Sequence, residues 1–400
     1  MVVFDIFRIS FSIIIKLIRV LFLKLFQLIF IKPNTVLLIV QFPNIGGTKK
    51  YFQFLLDFYL KNGQKIIIMI KDSEYDEIDV SEYNSNLIKS ISYSYELDLI
   101  EYNGAIKSIN YFKCLDKNIS QTLFIYKVCI QNGCKKLVIS ACLPGTLFSA
   151  FLIPIPVVYV MHSMPWGKLD RIGQQFLILA LKFNRNKLIT VSEYSKKVIR
   201  TFWNLNPEDI IVVYNYFEKN SLSINCFNLP RKFILTIGTL SQGKNPFMWI
   251  DIANEVVKSH PDIYFVWAGD GILYDRVKEL TNRNKNILLF GNVNTVDQLY
   301  KLALFYFSPS VRESHGISII GAMSYGLACI VGNVGGTTES IIDNYNGLLY
   351  DPNDFDGFLN GIDFLIKNSN VRNDFGINST IRFNDMFTKD KWEIKMIEYL

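Results

Sequence analysis

Little in this sequence invites metal, redox or nucleic-acid chemistry. Its 400 residues include only three histidines (His162, His260, His315) and six cysteines (Cys114, Cys129, Cys134, Cys142, Cys226, Cys329). No two cysteines have the two-residue spacing of a zinc site or thiol redox motif, and most lie inside apolar runs, so they read as reduced packing residues. Low-complexity segments, internal repeats and blocks of like charge are absent as well, which excludes a repeat array or a charged tail. The formal net charge of +6 suggests a nucleic-acid binder only until it is located. Five lysines and arginines (Arg8, Lys16, Arg19, Lys24, Lys32) stand against Asp5 in residues 1–32, and they account for four of the six net charges.

A long uncharged apolar run is missing too. Met1 to Ile31 is strongly apolar, yet Arg8, Lys16, Arg19 and Lys24 interrupt it, and no stretch reaches the roughly 18 residues of a spanning helix. At roughly 100° per residue, Asp5, Arg8, Ser12, Lys16, Arg19, Lys24 and Gln27 fall on one half of the helical wheel and the isoleucines, leucines and phenylalanines on the other. That pattern predicts a basic amphipathic helix lying in the interface of an anionic leaflet, its cations reaching the headgroups. A cleaved signal peptide and a helix docked on the protein's own core are the plainer readings. The signal peptide fits less well, because charges run through the apolar part and no small-residue cleavage site follows.

What is present is apolar residue in quantity, half of the chain, arranged as strands alternating with helices. This is enough for two domains with full cores. The first series has strands at Val36–Phe42, Lys65–Lys71, Lys136–Ser140, Val157–His162, Lys187–Val191 and Ile210–Tyr214. Its helices are Thr48–Lys61, Ser120–Asn132, Arg171–Phe183 and Glu193–Trp203. Asp72 to Asn118 is polar and tyrosine-rich, with one expected strand at Leu97–Tyr102. The second series has strands at Phe233–Gly238, Ile263–Gly269, Ile287–Gly291, Leu304–Phe307 and Ala328–Val331, with helices at Pro246–Ser259, Tyr274–Asn282, Val296–Leu302 and Asp354–Ile366. Helix-separated strands imply right-handed crossovers and parallel sheets. The expected organisation is therefore an amphipathic helix over 1–32, a Rossmann-like domain over 33–216, a linker over 217–230, a second Rossmann-like domain over 231–385 and a C-terminal helix over 386–400.

The stretch with most chemistry in it is SPSVRESHGISIIGAMSYGLACIVGNVGGTTESI. A strand ends at Pro309, Glu313 sits in the loop, and a helix begins after Gly316 whose first N–H groups (Gly316, Ile317, Ser318) have no partners inside the helix and favour anions. Such strand-to-helix turns build ligand crevices in open parallel sheets. Further small turns occur at Gly46-Gly47, Gly238, Gly269-Asp270-Gly271 and Gly335-Gly336, where backbone amides approach phosphate closely. With Lys244 in LSQGKN they suggest a diphosphate held by one cation and helix N-termini, against the alternative of a solvated loop lysine. His162 ends an apolar strand, which suits either substrate contact and proton transfer or a simple bond to neighbouring backbone. His260 reads as solvated at a helix end, and His315 as a cap of the central loop.

The order Gly-Gly, strand-end His, ITVSEYSKK, VVYNYFE, ILTIGTLSQGKN, VWAGDG, LLFGNV, SPSVRESHGISIIGAMSYG and GNVGGTTESI resembles glycosyltransferase family 4, from about Val36 to the C-terminus. The resemblance implies an α/β GT-B fold of two doubly wound Rossmann-like domains facing a cleft. It also implies retaining, metal-independent transfer from a nucleotide-sugar, which serves as donor substrate with no cofactor. It places Lys244 on the diphosphate, Glu313 on donor-sugar hydroxyls, His162 at the sugar or acceptor side, and Glu339 in the Gly-Gly-x-x-Glu turn. Two positions depart from the pattern. Thr239 stands where the family carries arginine, and Gly321 where a second glutamate holds the ribose. The amphipathic helix fits a glycan or lipid-linked acceptor at the inner face of the cell membrane, as in bacterial surface polysaccharide synthesis. Two other readings share the fold, a catalytically impaired scaffold or regulatory subunit and a nucleotide-sugar epimerase or phosphorylase; an epimerase would have no use for the helix.

Overall fold

The computed structural model describes residues 12–16, 18–19, 35–40, 46–71, 86–93, 108–140, 155–165, 171–182, 186–220, 229–293 and 295–399. The chain divides into two compact units. One comprises Met1–Thr190, Ser195–Val212 and Tyr399–Leu400, the other Val191–Tyr194 and Val213–Glu398.

The first unit is built on a seven-stranded sheet. Its strands are β1 (Thr35–Val40), β2 (Lys65–Lys71), β3 (Ile88–Tyr93), β4 (Cys134–Ser140), β5 (Val157–Met161), β6 (Lys187–Thr190) and β7 (Ile210–Val212). They lie in the order β3-β2-β1-β4-β5-β6-β7 with every pair parallel. Helices Gly46–Lys61, Ser108–Gln131, Arg171–Lys182 and Glu193–Trp203 connect them. Runs such as KIIIMIK and VVYVM contain no alternation because both faces of a parallel sheet are covered, and Val157 to Met161 is buried throughout. The edge strand β3, IKSISY, is half polar and was not foreseen; it pairs with β2 from Ile88↔Ile66 to Tyr93↔Lys71. The strand expected at Leu97–Tyr102 lies outside the described residues. The helix expected from Ser120 begins at Ser108, its first turn being built of Ser, Ile, Asn and Tyr, whose weak helical preference is overridden by the fold.

The N-terminal helix is described only at Ser12–Lys16 and Ile18–Arg19. Lys16 Nζ lies 2.6 Å from Asp116 Oδ1, and Ser12 Oγ donates to the same oxygen at 3.1 Å. Ile14, Ile15 and Ile18 are exposed. Part of the polar side of this helix thus docks on helix Ser108–Gln131. No helix among the described residues is long and apolar enough to cross a membrane.

The second unit holds a six-stranded parallel sheet of β8 (Phe233–Ile237), β9 (Tyr264–Ala268), β10 (Ile287–Gly291), β11 (Phe305–Ser308), β12 (Cys329–Gly332) and β13 (Gly347–Tyr350), in the order β10-β9-β8-β11-β12-β13. Successive residues of a strand serve opposite cores. Ile234, Phe305 and Phe307 pack in one cluster with Trp249, Phe265 and Phe358, while Leu235 and Tyr306 pack in the other with Ile320, Met323 and Tyr300. Strand β13 and helix Ser369–Met386 were not anticipated. That helix buries Phe375, Gly376, Ser379 and Phe383 and leaves Ile377 and Ile381 exposed, so half of its packing face is small or polar while two isoleucines face outward, which blurs the apolar periodicity. Of the cysteines, Cys129, Cys134 and Cys329 are free and buried, as composition suggested.

Candidate active site

In the second unit the chain leaves β8 to build β9 and β10 on one side, then returns to build β11, β12 and β13 on the other. The order reverses between β8 and β11, and a parallel sheet opens a crevice at the carboxyl ends of the two strands flanking such a reversal. Lys244 follows β8 in the short turn Gln242–Lys244. Glu313 follows β11. The register Phe305↔Ile234 and Tyr306↔Leu235 brings the two strand ends side by side, and the amides of Val311 and Arg312 donate to Gly243 O at 3.0 and 3.3 Å.

The topology therefore places Lys244 Nζ directly on the Glu313 carboxylate. Their side chains keep 20% and 14% of their exposure. Burial acts to lower the lysine pKa, but the charge of Glu313, with Tyr306 and the hydrogen bond to Glu313 adding to it, holds it above its ordinary value. The lysine is thus a fixed cation. Immediately beyond, Gly316 caps helix Ile317–Ser324, whose first two amides, those of Ile317 and Ser318, have no preceding helical carbonyl to bind. Tyr306 Oη donates to Ser318 Oγ at 3.0 Å and lies 3.1 Å from Ile237 O, bracing the head of that helix against β8. Tyr306 was read as a strand residue only. Its one signal in the sequence is a hydroxyl within an otherwise apolar FYF run.

The glycine turns support these loops. A Cβ at Gly269 would lie 2.1 Å from Gly238 O, so the ends of β8 and β9 approach too closely for any side chain there. The stem of Lys244 runs over Gly238, where an added Cβ would be 3.3 Å from its Cε. Gly335 has φ +57°, and its Cβ would fall 1.9 Å from Glu313 O. Gly336 N donates to that same oxygen at 3.1 Å. The Gly-Gly turn after β12 is thus the bed on which the Glu313 loop rests. Glu339 is fully engaged: its carboxylate accepts from the amides of Glu193 and Tyr194 at 2.8 and 2.7 Å and from Tyr214 Oη at 2.9 Å.

Gly321 sits in the middle of helix Ile317–Ser324 with no room around it. A Cβ would meet Tyr300 Oη at 2.7 Å, Tyr300 Cζ at 2.8 Å and Phe217 Cε2 at 2.9 Å. The space where the resemblance expects a second carboxylate is occupied by aromatic rings.

In the first unit His162 directly follows β5, with its ring 4.0 Å from that of Tyr51 and Nε2 3.2 Å from Ser140 Oγ at the end of β4. Burial lowers its pKa, which keeps it neutral at physiological pH. Gly46 and Gly47 open helix Gly46–Lys61, the helix that supplies Tyr51. The strand order reverses here between β1 and β4, so Gly46, Ser140 and His162 all stand at carboxyl ends around that reversal. His260, expected to be solvated, pairs with Asp363 at 2.8 Å and is mostly covered.

With this geometry in hand, residues 219–382 match the family described as "Glycosyl transferases group 1". Among curated proteins, the chain is 30% identical over 237 residues to "UDP-Gal:alpha-D-GlcNAc-diphosphoundecaprenol alpha-1,3-galactosyltransferase" of Escherichia coli, covering 54% of this chain and 61% of that protein. It is 26% identical over 362 residues to an uncharacterized glycosyltransferase of Methanocaldococcus jannaschii, 88% and 93% of the two chains. Among solved structures it superposes on Anabaena HepE in complex with UDP with a TM-score of 0.69 at 16% identity, over 91% and 98% of the two chains. The fold is GT-B, and the match over residues 219–382 is consistent with the resemblance to glycosyltransferase family 4. In this GT-B chain the pair Lys244–Glu313, the open helix head and the switch point of the second unit coincide, an arrangement suited to an anionic group with hydroxyls beside it.

Proposed function

We propose that the protein is a retaining glycosyltransferase that moves a sugar from a nucleotide-sugar donor to a glycan or lipid-linked acceptor at a membrane surface, in surface polysaccharide synthesis. The observation that carries this reading is the Lys244–Glu313 pair at the β8/β11 switch point, beside the first turn of helix Ile317–Ser324. The donor diphosphate takes the lysine and the Gly316, Ile317 and Ser318 amides, and Glu313, relieved of its partner, accepts from hydroxyls of the sugar. During transfer the bond from the anomeric carbon to the diphosphate oxygen breaks, and the acceptor oxygen bonds that carbon from the same face. The acceptor's proton leaves with the diphosphate. Charge builds on the leaving diphosphate, and a fixed ammonium and fixed amide dipoles stabilise it without reorganising. His162, neutral and tethered to Ser140, is assigned to the sugar or acceptor side. The UDP bound by the Anabaena protein and the diphosphoundecaprenol named for the E. coli relative support this choice of donor and acceptor, and the basic N-terminal helix supports a membrane surface.

The test is a panel of UDP-, GDP- and dTDP-sugars, scored by binding and by turnover. At least one binds and is turned over, and Lys244→Ala and Glu313→Ala each reduce turnover by about 100-fold or more, the scale seen when a fixed stabiliser of transition-state charge is removed. Full activity in both variants removes the assignment. The filled space at Gly321 favours a second reading, an inactive scaffold, under which no nucleotide-sugar shifts the melting temperature.

A further inference from the structure

His315 is the least explained group in the second unit. It lies two residues from Glu313 and is 1% exposed. Its Nδ1 accepts from the amide of Asn215 at 3.2 Å. The ring stacks on Tyr214 with centroids 5.0 Å apart and 29° between planes, and Phe387 meets it at 5.2 Å and 64°. Because Nδ1 accepts a backbone proton, the neutral ring carries its own proton on Nε2. That atom is buried with no hydrogen-bond partner among the described residues.

A phenylalanine would fill this slot between two aromatic rings and remove the unmatched Nε2, an orphan that costs about 1–3 kcal/mol, but it would leave the amide of Asn215 without its acceptor. The loop carries a histidine there nonetheless, and what distinguishes histidine from phenylalanine is the acceptor turned to Asn215. Around it the loop is tied at every residue: Glu313 O to Gly336 N, Ser314 O to Ser192 Oγ at 2.6 Å, and His315 to Asn215. Of these three ties the last runs through a side chain of the loop, as does the Glu313 carboxylate's bond to Lys244.

We infer that His315 is a positioning residue for Glu313, pinning the loop to the Tyr214–Asn215 segment and so setting where the carboxylate stands beside Lys244. The inference rests on the donor-site reading above for its functional consequence, though not for its structural one. A merely space-filling ring would give the same loop order with phenylalanine. A ring that acts through its acceptor would not.

The experiment compares wild type with His315→Phe, His315→Asn, Glu313→Gln and the Glu313→Gln/His315→Phe double variant, by amide hydrogen exchange of the 308–320 segment and by donor KM and kcat. His315→Phe is expected to raise exchange of that segment and donor KM by about tenfold, the size of one lost buried hydrogen bond, with kcat changed far less. Asparagine, whose Oδ1 reaches near the place of Nδ1, is expected to restore most of both. In the Glu313→Gln background the KM effect of His315→Phe is expected to vanish. Unchanged exchange in His315→Phe, or the same KM effect with and without Glu313, overturns the proposal. Should the phenylalanine variant fail to fold, His315→Gln, whose acceptor lies one bond further out, is compared with His315→Asn under the same criteria. If wild type turns over no nucleotide-sugar, the donor reading falls, and the exchange arm alone decides the anchoring role.

Discussion

Replacing Gly321 with alanine sets two effects of known sign against each other. Alanine is the better helix former by about 1 kcal/mol at an interior position, so local preference alone predicts a more stable protein. Packing predicts the reverse. The added methyl would sit 2.7 to 2.9 Å from Tyr300 Oη, Tyr300 Cζ and Phe217 Cε2. None of these can move away cheaply: Tyr300 donates to Ser318 O at 2.8 Å, stacks on Tyr325 at 5.6 Å and 14°, and packs edge-on to Phe217. Overpacking of this kind costs about 1–3 kcal/mol, and loss of the Tyr300 hydrogen bond adds about 1 kcal/mol. The balance is a net loss of about 1–3 kcal/mol, which for a unit of this size lowers Tm by roughly 2–12 °C. Thermal and urea unfolding of Gly321→Ala measures it, with Gly321→Ala/Tyr300→Leu as control, since the smaller side chain makes room and shrinks the added loss. A Gly321→Ala protein as stable as wild type would refute the reasoning. Gly321→Glu, the change that restores the family pattern, is expected to fare worse than alanine, because it drives a carboxylate into the same rings.

Gly335→Ala strikes the support of the Glu313 loop: its Cβ would collide with Glu313 O and φ is +57°. It is expected to lower kcat/KM for the donor by about 100-fold or more with a lower Tm, and unchanged kcat/KM would show that the loop does not need its bed. For His315 the folded pKa is lowered by burial from 6.5 to about 3. The unfolded chain therefore binds the extra proton first as pH falls. The stability linked to the neutral ring is fully present above pH 6.5 and is lost between pH 6.5 and about 3, by up to about 1.4 kcal/mol per pH unit. Urea unfolding at pH 7 and pH 5 checks this, wild type losing more than His315→Phe; equal losses would contradict it. Removing residues 1–30 is expected to cut co-sedimentation with vesicles containing anionic lipid by about tenfold or more. Unchanged sedimentation would rule out the N-terminal helix as the membrane contact.

The alternation of strands and helices was legible because buried parallel strands need unbroken apolar runs, and KIIIMIK, VVYVM and ILLFG have them. Helices Glu193–Trp203 and Pro246–Ser259 have the bounds that their amphipathic spacing gives. What escaped was β3, which is half polar at a sheet edge, and Ser369–Met386, half of whose packing face is Gly376 and Ser379. In both, the apolar period that sequence reading depends on is blurred. Lys244 and Glu313 stood out as charged residues just after strands, but their direct pairing did not, since it depends on β8 and β11 being neighbours. The burial of His315 was equally hidden, because its partners Tyr214, Asn215 and Phe387 are distant in sequence and lie in segments with no chemical signature of their own.

The Lys244–Glu313 pair joins side chains 69 residues apart, through two strands that become neighbours only after β9 and β10 have been added on the far side of β8. A chain emerging from the ribosome would finish β8, β9 and β10 before β11 exists, and contacts of this separation form late because loop closure must come first. Until then Lys244 has no carboxylate beside it. That pairing therefore forms only after the far side of the sheet, and a nascent or truncated chain ending before Glu313 would contain four of the six strands but no carboxylate to hold the lysine.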